Sequence, residues 1–360
     1  MRFWHTTALS VEITLNIKPT LRTVWLMCRS LLLNLRPTPR APKIMMKQVK
    51  RILLIRQDRL GDVVLTSALI PKLQQMFPEA EIVYWIRQPF VSLFEESGAF
   101  SAVSTRPEGG FDLVIDPVLD YPLKSAKQAA SFNAVYSLGF DVAGRGRYFT
   151  YPINPPESDE LFMKSLVRLL EPLAHFDELA PAHLEVTALE RAGAREIAGF
   201  EGEYVLVHPG AFYSSQRWPE KHVAMAVDML VAQGLDVVVI GADADRGVLE
   251  EIRCQQNSPE DVRYLCGESL RIVMALMAEA SLVLCNNSGP LHLVTALGVP
   301  TVSTLGPTNP KIWWPVGEHQ HVLVAPDCDH CEVAQCSRNC LERIRPDEVV
   351  EKINQLLRSR

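Results

Sequence analysis

The stretch RILLIRQDRLGDVVLTSALIPKLQQMFPEAEIVYWIR (51–87) decides the fold class of this chain. It begins with an apolar, branched run at 51–56, which is typical of a strand buried on both faces. Apolar side chains then recur at helical spacing over 62–77, and Pro78 ends the helix. A second apolar run follows at 81–87. Strand, helix and strand in this order predict a parallel sheet with crossover helices.

The alternation continues along the chain and then restarts. In the first half, a later strand is predicted at FDLVIDP (111–117) and a helix at 158–173, and the connection between the halves is placed at 174–200. In the second half, strands are predicted at YVLVHPG (204–210), DVVVIGA (236–242), VRYLCG (262–267), SLVLCNN (281–287) and TVSTLG (301–306). Further helices are predicted between these strands and at 346–357.

The length of 360 residues favours two domains, since single domains cluster around about 100–200 residues. The predicted division is a leader at 1–50, a first domain at 51–185 and a second domain at 186–360. The fold class is therefore α/β, with two Rossmann-like domains.

The formal net charge of −6 is distributed unevenly. Residues 1–50 hold nine lysines and arginines and a single acid, Glu12, so the leader carries +8 and the rest of the chain −14. An acidic body argues against nucleic acid as a partner. The basic leader favours contact with something anionic, such as a membrane surface.

The most apolar part of the leader, residues 23–35, is too short to span a bilayer, so we expect no spanning helix. It suits a helix lying in the membrane interface, with one side formed by Trp25, Leu26, Leu32 and Leu33. Residues 1–44 would then contact the membrane. The alternative is a dispensable leader, because Met45 and Met46 precede the first strand and either offers a start of translation.

Four strand-to-helix turns are candidates for a functional site. Ligands of open α/β sheets bind beyond the carboxyl ends of the strands, where helix N-termini also attract phosphate. The first turn places Gly61 at a tight bend and Asp62 at the start of a helix. Asp62 is either a first-turn acid that stabilises the helix or a catalytic base that takes a hydroxyl proton.

The second turn, at 208–219, is either a binding site for a diphosphate or an exposed loop without a ligand. Its candidate ligands are Gly210, Ser214, Ser215 and Arg217. The third turn carries Asp243 at the end of a strand, where an acid commonly binds a ribose hydroxyl. Asp-Ala-Asp at 243–245 also imitates a metal motif, but three-letter matches arise by chance. The fourth turn, at 286–292, is the most specific of the four. It is either an anion site or a capped helix with a core histidine, and its candidate ligands are Asn287, Ser288, Gly289 and His292.

Three segments together resemble glycosyltransferase family 9, the ADP-heptose:lipopolysaccharide heptosyltransferases. They are RILLIRQDRLGDVVLTSALIPKLQQMFPEAEI from residue 51, VHPGA…QRWPEKH from residue 207 and NNSGPLHLVTALGVPTVSTLGPTNP from residue 286, and the likeness runs from about Arg51 to Val350. The resemblance implies a GT-B fold, in which the parallel sheets of two Rossmann-like domains face a central cleft. It also implies an inverting transferase that moves heptose, or a related sugar, from an ADP-sugar to a lipopolysaccharide core, with no metal and no cofactor. The first domain would bind the acceptor and the second the donor.

The family's functional residues carry over to particular positions here. Asp62 matches the general base, Asp243 matches an acid that contacts the ribose, and the residues that hold the diphosphate and sugar match Ser288, Gly289 and His292. Two positions depart from the family. Gln216 stands where a lysine is usual, with Arg217 adjacent to it, and Asn287 replaces an aspartate. Since a lost carboxylate changes which donor hydroxyls are recognised, we expect donor specificity to depart from the family at Asn287. We expect a cytoplasmic protein, either free or peripheral on the inner face of the cytoplasmic membrane, because the basic leader suits docking on that face.

A cluster of four cysteines lies near the C-terminus, in the pattern C-x2-C-x4-C-x3-C, formed by Cys328, Cys331, Cys336 and Cys340. Four thiolates on a compact loop suit a structural metal such as zinc. Free thiols and disulfides are the alternatives, and the sequence leaves them open.

Two other function classes remain open at this point. A nucleotide-sugar epimerase shares the two-domain architecture and would convert a donor without any acceptor. A non-catalytic nucleotide-binding or cysteine-metal module would bind ADP with no need for Asp62.

Overall fold

The computed structural model describes residues 19–34, 41–94, 102–156, 159–200, 202–331, 336–337 and 339–359. Two parallel six-stranded sheets form its centre. The strands of the first sheet are β1 (Arg51–Ile55), β2 (Glu81–Trp85), β3 (Ala102–Ser104), β4 (Leu113–Asp116), β5 (Tyr136–Phe140) and β6 (Tyr151–Ile153). The strands of the second sheet are β7 (Tyr204–His208), β8 (Asp236–Gly241), β9 (Val262–Cys266), β10 (Leu282–Asn286), β11 (Thr301–Leu305) and β12 (Gln320–Val324).

Helices cover both sheets. Those of the first half are α1 (Pro19–Asn34), α2 (Leu60–Ser67), α3 (Leu69–Met76), α4 (Gln88–Val91), α5 (Lys124–Ser131) and α6 (Phe162–Leu169). Those of the second half are α7 (Ala188–Ala198), α8 (Glu220–Ala232), α9 (Arg246–Gln255), α10 (Leu270–Glu279), α11 (Gly289–Ala296), α12 (Pro310–Trp313) and α13 (Pro346–Arg358).

The two sheets have the same topology. The first runs β3-β2-β1-β4-β5-β6 and the second β9-β8-β7-β10-β11-β12, with every paired strand parallel. This is the Rossmann strand order, in which the chain reverses direction across the sheet between the first and fourth strands and opens a binding crevice there. The expected pair of Rossmann-like units is thereby confirmed, with crevices at β1/β4 and β7/β10.

The sheets are wider than the sequence predicts, because β3, β5, β6 and β12 were not expected. The apolar pattern missed them for different reasons: some of these strands are short, some lie at or near a sheet edge, and some contain residues that are unusual in strands. Gly139 interrupts β5, and Pro152 lies in β6, which is an edge strand where a missing N–H is tolerated.

Two predicted helices differ from the observed ones. The helix expected over 62–77 is divided at Ala68 into α2 and α3, because Pro71 has no N–H to donate to the Ser67 carbonyl. The helix expected over 158–173 runs only from Phe162 to Leu169 as α6, and Pro172 limits its extension. Its predicted cap, Ser158, lies outside the described residues.

Helix α7 lies inside the region expected to be a plain connection. Thr187 caps it by accepting a hydrogen bond from the Glu190 N–H, while the Glu190 side chain accepts one from the Thr187 N–H. The sequence Thr-Ala-Leu-Glu carries this capping-box signal, which the sequence reading missed. The boundary proposed between residues 185 and 186 stays a prediction.

The helix expected in the leader is present as α1, and no helix among the described residues is long and apolar enough to cross a membrane. Its predicted apolar side was partly wrong. Trp25 and Leu32 are exposed, whereas Leu26 and Leu33 are half-buried on another face of the helix.

The two halves pack directly on each other. One continuous apolar core contains strand and helix residues of both sheets, including Leu54 and Leu138 from the first and Leu206 and Leu293 from the second. The shared core brings the turn after β1 against the start of α11.

Candidate active site

The two most distinctive turns of the sequence meet at the junction of the halves. A Cβ placed on Gly61 would lie 2.8 Å from His292 Cδ2 and 3.3 Å from Gly289 Cα. A Cβ on Gly289 would lie 3.1 Å from Leu60 Cβ. Gly61 lies inside α2 and not at the tight bend that was expected, so close approach between the halves is what favours glycine there. The N-termini of α2 and α11, both partially positive, therefore face each other.

The Asp62 carboxylate lies in the first turn of α2 and is almost completely buried, with the residue 5% exposed. Its Oδ1 accepts a hydrogen bond from Arg56 at 2.7 Å. Its Oδ2 lies 3.4 Å from Nε of Arg59, an exposed side chain. Oδ1 is thus held by the buried Arg56 guanidinium, whereas Oδ2 lies near the exposed Arg59 side chain at the rim of the turn.

Arg56 was not among the predicted site residues. Its guanidinium is buried and contacts three groups. Besides Asp62, it donates to the Pro117 carbonyl at 3.0 Å and forms an ion pair with Asp58 at 2.8 Å. Asp58 and Asp62 raise the pKa of Arg56 despite the opposing effect of its burial. The sequence feature that could have identified Arg56 is its position directly after a buried apolar strand, at the sheet edge where ligands bind.

Asp58 is a second carboxylate of the same turn. Burial raises its pKa, and the Arg56 guanidinium opposes that shift. Its side chain is 36% exposed, against 6% for Asp62. The turn therefore places one buried carboxylate and one partly exposed carboxylate on a single arginine.

His292 projects from α11 toward this turn and is 5% exposed. Burial lowers its pKa to about 4, although the Asp62 carboxylate favours the charged form. Its Nδ1 is buried and has no hydrogen-bond partner among the described residues. At neutral pH His292 is therefore a neutral ring that offers an N–H, and it does not supply a positive charge.

Aromatic rings enclose the junction. Phe162 stacks on Trp313 at 5.3 Å between ring centroids, and the Arg56 guanidinium lies over Phe162 at 5.3 Å. The Trp313 ring lies 6.4 Å from His292. These two rings, one from each half, place aromatic surface beside Arg56 and His292.

The β7 turn is joined to the β10 turn by side-chain amides. Gln216 Nε2 donates to the Asn287 carbonyl at 3.2 Å and to Thr308 Oγ1 at 2.9 Å. Buried Asn286 donates to the Pro209 carbonyl at 2.6 Å and accepts from the Trp218 N–H at 2.9 Å. Asn286 was not predicted as a site residue, and its role here is to hold the two turns together.

The predicted residues of the β7 turn are placed unequally. Ser214 is exposed and Ser215 half-buried in a short 3-10 turn after β7. The Arg217 guanidinium folds back onto the Ala211 carbonyl, with both bonds at 3.1 Å. A Cβ on Gly210 would collide with the Asp245 carboxylate, which explains a glycine at that position.

At the β10 turn, Ser288 precedes α11 and forms no capping hydrogen bond from its side chain. Ser288 and Gly289 are half-buried at the junction. Asn287 is buried, and its Nδ2 donates to the Trp313 carbonyl at 3.3 Å. The start of α11 therefore has no side-chain cap, and the Asn287 side chain is turned into the protein.

Asp243 lies at the end of β8 in an exposed position, with 77% of its side chain accessible, and pairs with Arg246 at 2.7 Å. Its neighbour Asp245 is buried and accepts from the Ala242 N–H at 3.1 Å. The two carboxylates thus lie in different surroundings, and only Asp243 faces solvent at the sheet edge.

A second buried ion pair supports the first sheet's edge. Arg145 donates to Asp116 at 2.7 Å, and both side chains are fully buried. Arg145 also donates to the carbonyls of Asp120 and Pro122. The pair shapes the loop after β4, whose Pro117 carbonyl accepts from Arg56.

The four clustered cysteines lie close enough together to influence the pKa values of one another's thiols. Hydrogen bonding to Cys336 raises the pKa of Cys331 to about 11, and burial raises that of Cys328. All four are free thiols in this structure. Within the described ranges, no group of three or more His, Cys, Asp or Glu side chains is arranged to hold a metal.

The geometry combines a carboxylate that can accept a proton with two helix N-termini that attract an anion. Removing a proton at Asp62 and stabilising negative charge at Ser288 and Gly289 are compatible with displacement of an anionic leaving group.

A family model described as glycosyltransferase family 9 (heptosyltransferase) matches residues 107–342. The chain is 25% identical over 352 residues to lipooligosaccharide heptosyltransferase 2 of Haemophilus ducreyi, a match that covers 85% of this chain and 99% of that relative. It is 29% identical over 213 residues to the protein of the same description from Haemophilus influenzae, covering 56% of this chain and 58% of that relative.

Solved structures share the fold. A glycosyl transferase family 9 protein from Veillonella parvula superimposes with a TM-score of 0.75 at 20% identity, covering 89% of this chain and all of that one. The E. coli ADP-heptose lps heptosyltransferase II superimposes with a TM-score of 0.71 at 21% identity, covering 86% of this chain and 99% of that one.

Proposed function

The chain belongs to glycosyltransferase family 9 and is a glycosyltransferase, and from this membership we propose that it transfers heptose, or a related sugar, from an ADP-sugar to a lipopolysaccharide core. One observation carries the proposal: the Asp62 turn of the first sheet and the α11 start of the second meet at Gly61 and Gly289. Two relatives, each described as lipooligosaccharide heptosyltransferase 2, match along nearly their full length, which supports the sugar and the acceptor class.

Asp62 is the proposed general base. Its assignment rests on geometry and on the resemblance of its turn, since the family model begins at residue 107. Arg56 holds Oδ1, so Oδ2 is the oxygen that receives the acceptor proton. A base positioned in this way contributes typically about 10²–10⁴-fold to the rate.

Transfer proceeds by a single displacement with inversion. The acceptor oxygen attacks the anomeric carbon while its proton passes to Asp62, and the bond from that carbon to the diphosphate oxygen breaks. The N–H groups at the start of α11, with the His292 ring N–H and Arg217, stabilise the charge on the leaving diphosphate. For Arg217 this requires release from the Ala211 carbonyl. The scheme uses no metal and no cofactor.

The donor binds the second half. The β7 and β10 turns carry Gly210, Ser214, Ser215, Asn287, Ser288 and Gly289 around its crevice, and exposed Asp243 binds the ribose. An E. coli heptosyltransferase of similar fold was solved with ADP, which supports adenine as the base. Since Asn287 is directed at the Trp313 carbonyl, it contributes to the donor site through its backbone and by positioning α12.

The acceptor binds the first half, and the halves must separate to admit it. Asp62 is only 5% exposed, so its carboxylate is nearly closed to an acceptor hydroxyl in the conformation described. Opening and reclosure would load both substrates and then exclude water from the reacting atoms.

Transfer is tested by incubating the protein with ADP-heptose, with and without a lipopolysaccharide-core acceptor. The expected result is acceptor-dependent ADP release and a product whose anomeric configuration is opposite to that of the donor. Among ADP, GDP and UDP, ADP should raise Tm most, by an amount equivalent to about 2.7 kcal/mol at 100 times its Kd. Conversion of donor without acceptor would favour an epimerase, and ADP binding with no reaction would favour a non-catalytic module.

A further inference from the structure

Helix α1 exposes a broad apolar face to solvent. Its exposed large side chains are Val24, Trp25, Met27, Leu31 and Leu32, of which Leu31 and Leu32 are 69% and 68% exposed. At about 3.6 residues per turn these positions share one arc of roughly 160°. Scattered exposed apolar residues are common on soluble proteins, but five on one helix face form a continuous patch.

The opposite side of α1 is fixed to the first half. Arg29 donates to the Ala143 carbonyl at 3.0 Å and to the Tyr121 carbonyl at 2.7 Å. Arg147 donates to the Leu33 carbonyl at 2.7 Å. Gly144, at φ +83°, lets α1 approach so closely that a Cβ there would lie 2.9 Å from Leu33. The exposed face is therefore held outward by specific contacts with the loops after β4 and β5.

These loops belong to the edge of the first sheet that carries the proposed catalytic base. Tyr121 lies in the loop that Arg145 shapes, and Pro117 of the same loop accepts from Arg56, which holds Asp62. Because all strands of this sheet are parallel, their carboxyl ends meet at one edge. Helix α1 consequently lies on the acceptor side of the molecule.

Charge favours an anionic lipid surface as the occupant of this face. Residues 1–50 carry +8 in a chain whose remainder carries −14. Lys43 and Lys47 are exposed. An apolar helix face flanked by basic residues suits the interface of an anionic leaflet, where each lysine or arginine adds electrostatic attraction.

We propose that α1 lies in the interface of an anionic bilayer and docks the protein with its acceptor side toward the membrane. Docking itself does not depend on the reaction. That it serves delivery of a lipid-anchored acceptor rests on the proposed function.

The test uses the full chain and sedimentation with vesicles of phosphatidylcholine alone or mixed with phosphatidylglycerol. Leu31→Glu/Leu32→Glu places two acids on the α1 face. The matched control is Leu189→Glu/Met225→Glu, which changes two exposed apolar residues on α7 and α8 by the same charge. A neutral variant, Trp25→Ala/Leu32→Ala, removes apolar area alone, and equal Tm values verify folding.

We expect the wild type and the control to bind phosphatidylglycerol vesicles, with binding weakened by salt. The α1 acid variant should bind at least about tenfold less, and the neutral variant should fall between them. Equal loss in the control variant, or no vesicle binding by the wild type, would overturn the proposal. So would a wild-type dimer that the α1 variants convert to monomers, since a second copy would then cover the face.

Activity separates docking from the reaction. With a delipidated, water-soluble core acceptor, the α1 acid variant should keep wild-type turnover, and with acceptor in vesicles it should lose it. Equal loss on both acceptors would contradict docking. A wild type that binds vesicles but transfers sugar to neither acceptor would refute the proposed function and leave docking standing.

Discussion

At the residue scale, the Asp62 carboxylate is nearly completely buried and accepts a hydrogen bond from the buried Arg56 guanidinium at 2.7 Å. Burying a charge without a partner costs several kcal/mol, and removing one member of a buried pair costs about 3–5 kcal/mol. Arg56 is bound to Asp58 as well as to Asp62, so it keeps one ionic partner when the other is replaced. An amide at position 62 still accepts the Arg56 hydrogen bond, which makes Asn the informative substitution there.

The buried imidazole of His292 predicts an acid-sensitive stability. Its pKa is lowered to about 4, whereas an unfolded histidine titrates near 6.5. Between these values the unfolded chain binds a proton that the folded chain does not, so the free energy of unfolding falls as pH decreases from about 6.5 to about 4. Urea unfolding at pH 7.5, 6 and 5 should show a larger loss for the wild type than for His292→Gln. His321→Gln, at an exposed position of β12, controls for the substitution itself. Parallel pH dependence in wild type and His292→Gln would refute this assignment.

Sequence alone identified the residues that stand at strand ends but not the contacts that hold them. Asp62, Ser288 and Gly289 lie at the expected edge because parallel strands end together. Arg56 and Asn286 were missed, since a cation or amide at the end of an apolar strand is uninformative until its partners across the turn are known. Arg217 and Asn287 were expected to face the donor, and their carbonyl partners come from backbone that no sequence pattern locates.

At the element scale, the contact between α2 and α11 needs two glycines. A methyl group at Gly61 would meet the His292 ring at 2.8 Å, and one at Gly289 would meet the Leu60 and Gly61 backbone region at just over 3 Å. Neither glycine is required by a positive φ. A side chain at Gly61 would therefore force a shift of the His292 ring or of the helices, and one at Gly289 would crowd Leu60.

Gly61→Ala should therefore hinder closure of the two halves. We expect kcat to fall at least about tenfold, an effect of roughly 1.4 kcal/mol on the barrier. The matched control is Gly193→Ala in α7, where a Cβ would have no neighbour within 4 Å. That substitution should leave kcat unchanged and stabilise the protein by roughly 0.5–1 kcal/mol, because alanine favours a helix over glycine. Steady-state transfer rates and urea unfolding test both, and equal kcat values in the two variants would contradict the closure role.

The boundaries of the helices depend on local features, such as prolines and capping residues, more than on the apolar pattern. The apolar pattern predicted β1, β2, β4 and the five strands of the second sheet up to β11. It predicted α2 and α3 as one helix, because Pro71 does not disturb the helical spacing of apolar residues although it breaks the backbone hydrogen-bond ladder. It also missed α7, which is only partly buried and is marked by its capping box.

At the scale of the whole molecule, the same topology is used twice. Each half forms a crevice between its first and fourth strands, and the shared apolar core turns the two crevices toward one junction. Further contacts between halves lie around it: Arg271 donates to the Leu93 carbonyl at 3.3 Å, and Asn309 donates to Asp159 at 2.6 Å. Repeated strand–helix alternation predicts two Rossmann-like units, whereas their relative placement depends on packing between elements far apart in sequence.

The most direct test compares Asp62→Asn with Asp58→Asn, two carboxylates held by the same arginine. Transfer from ADP-heptose is followed by ADP release, and ADP affinity by calorimetry. We predict that Asp62→Asn lowers kcat by about 10²–10⁴-fold while the Kd for ADP stays within about threefold of wild type. Asp58→Asn should retain kcat within about tenfold of wild type. Turnover near the wild-type rate in Asp62→Asn, or an equal loss in both variants, would contradict Asp62 as the base.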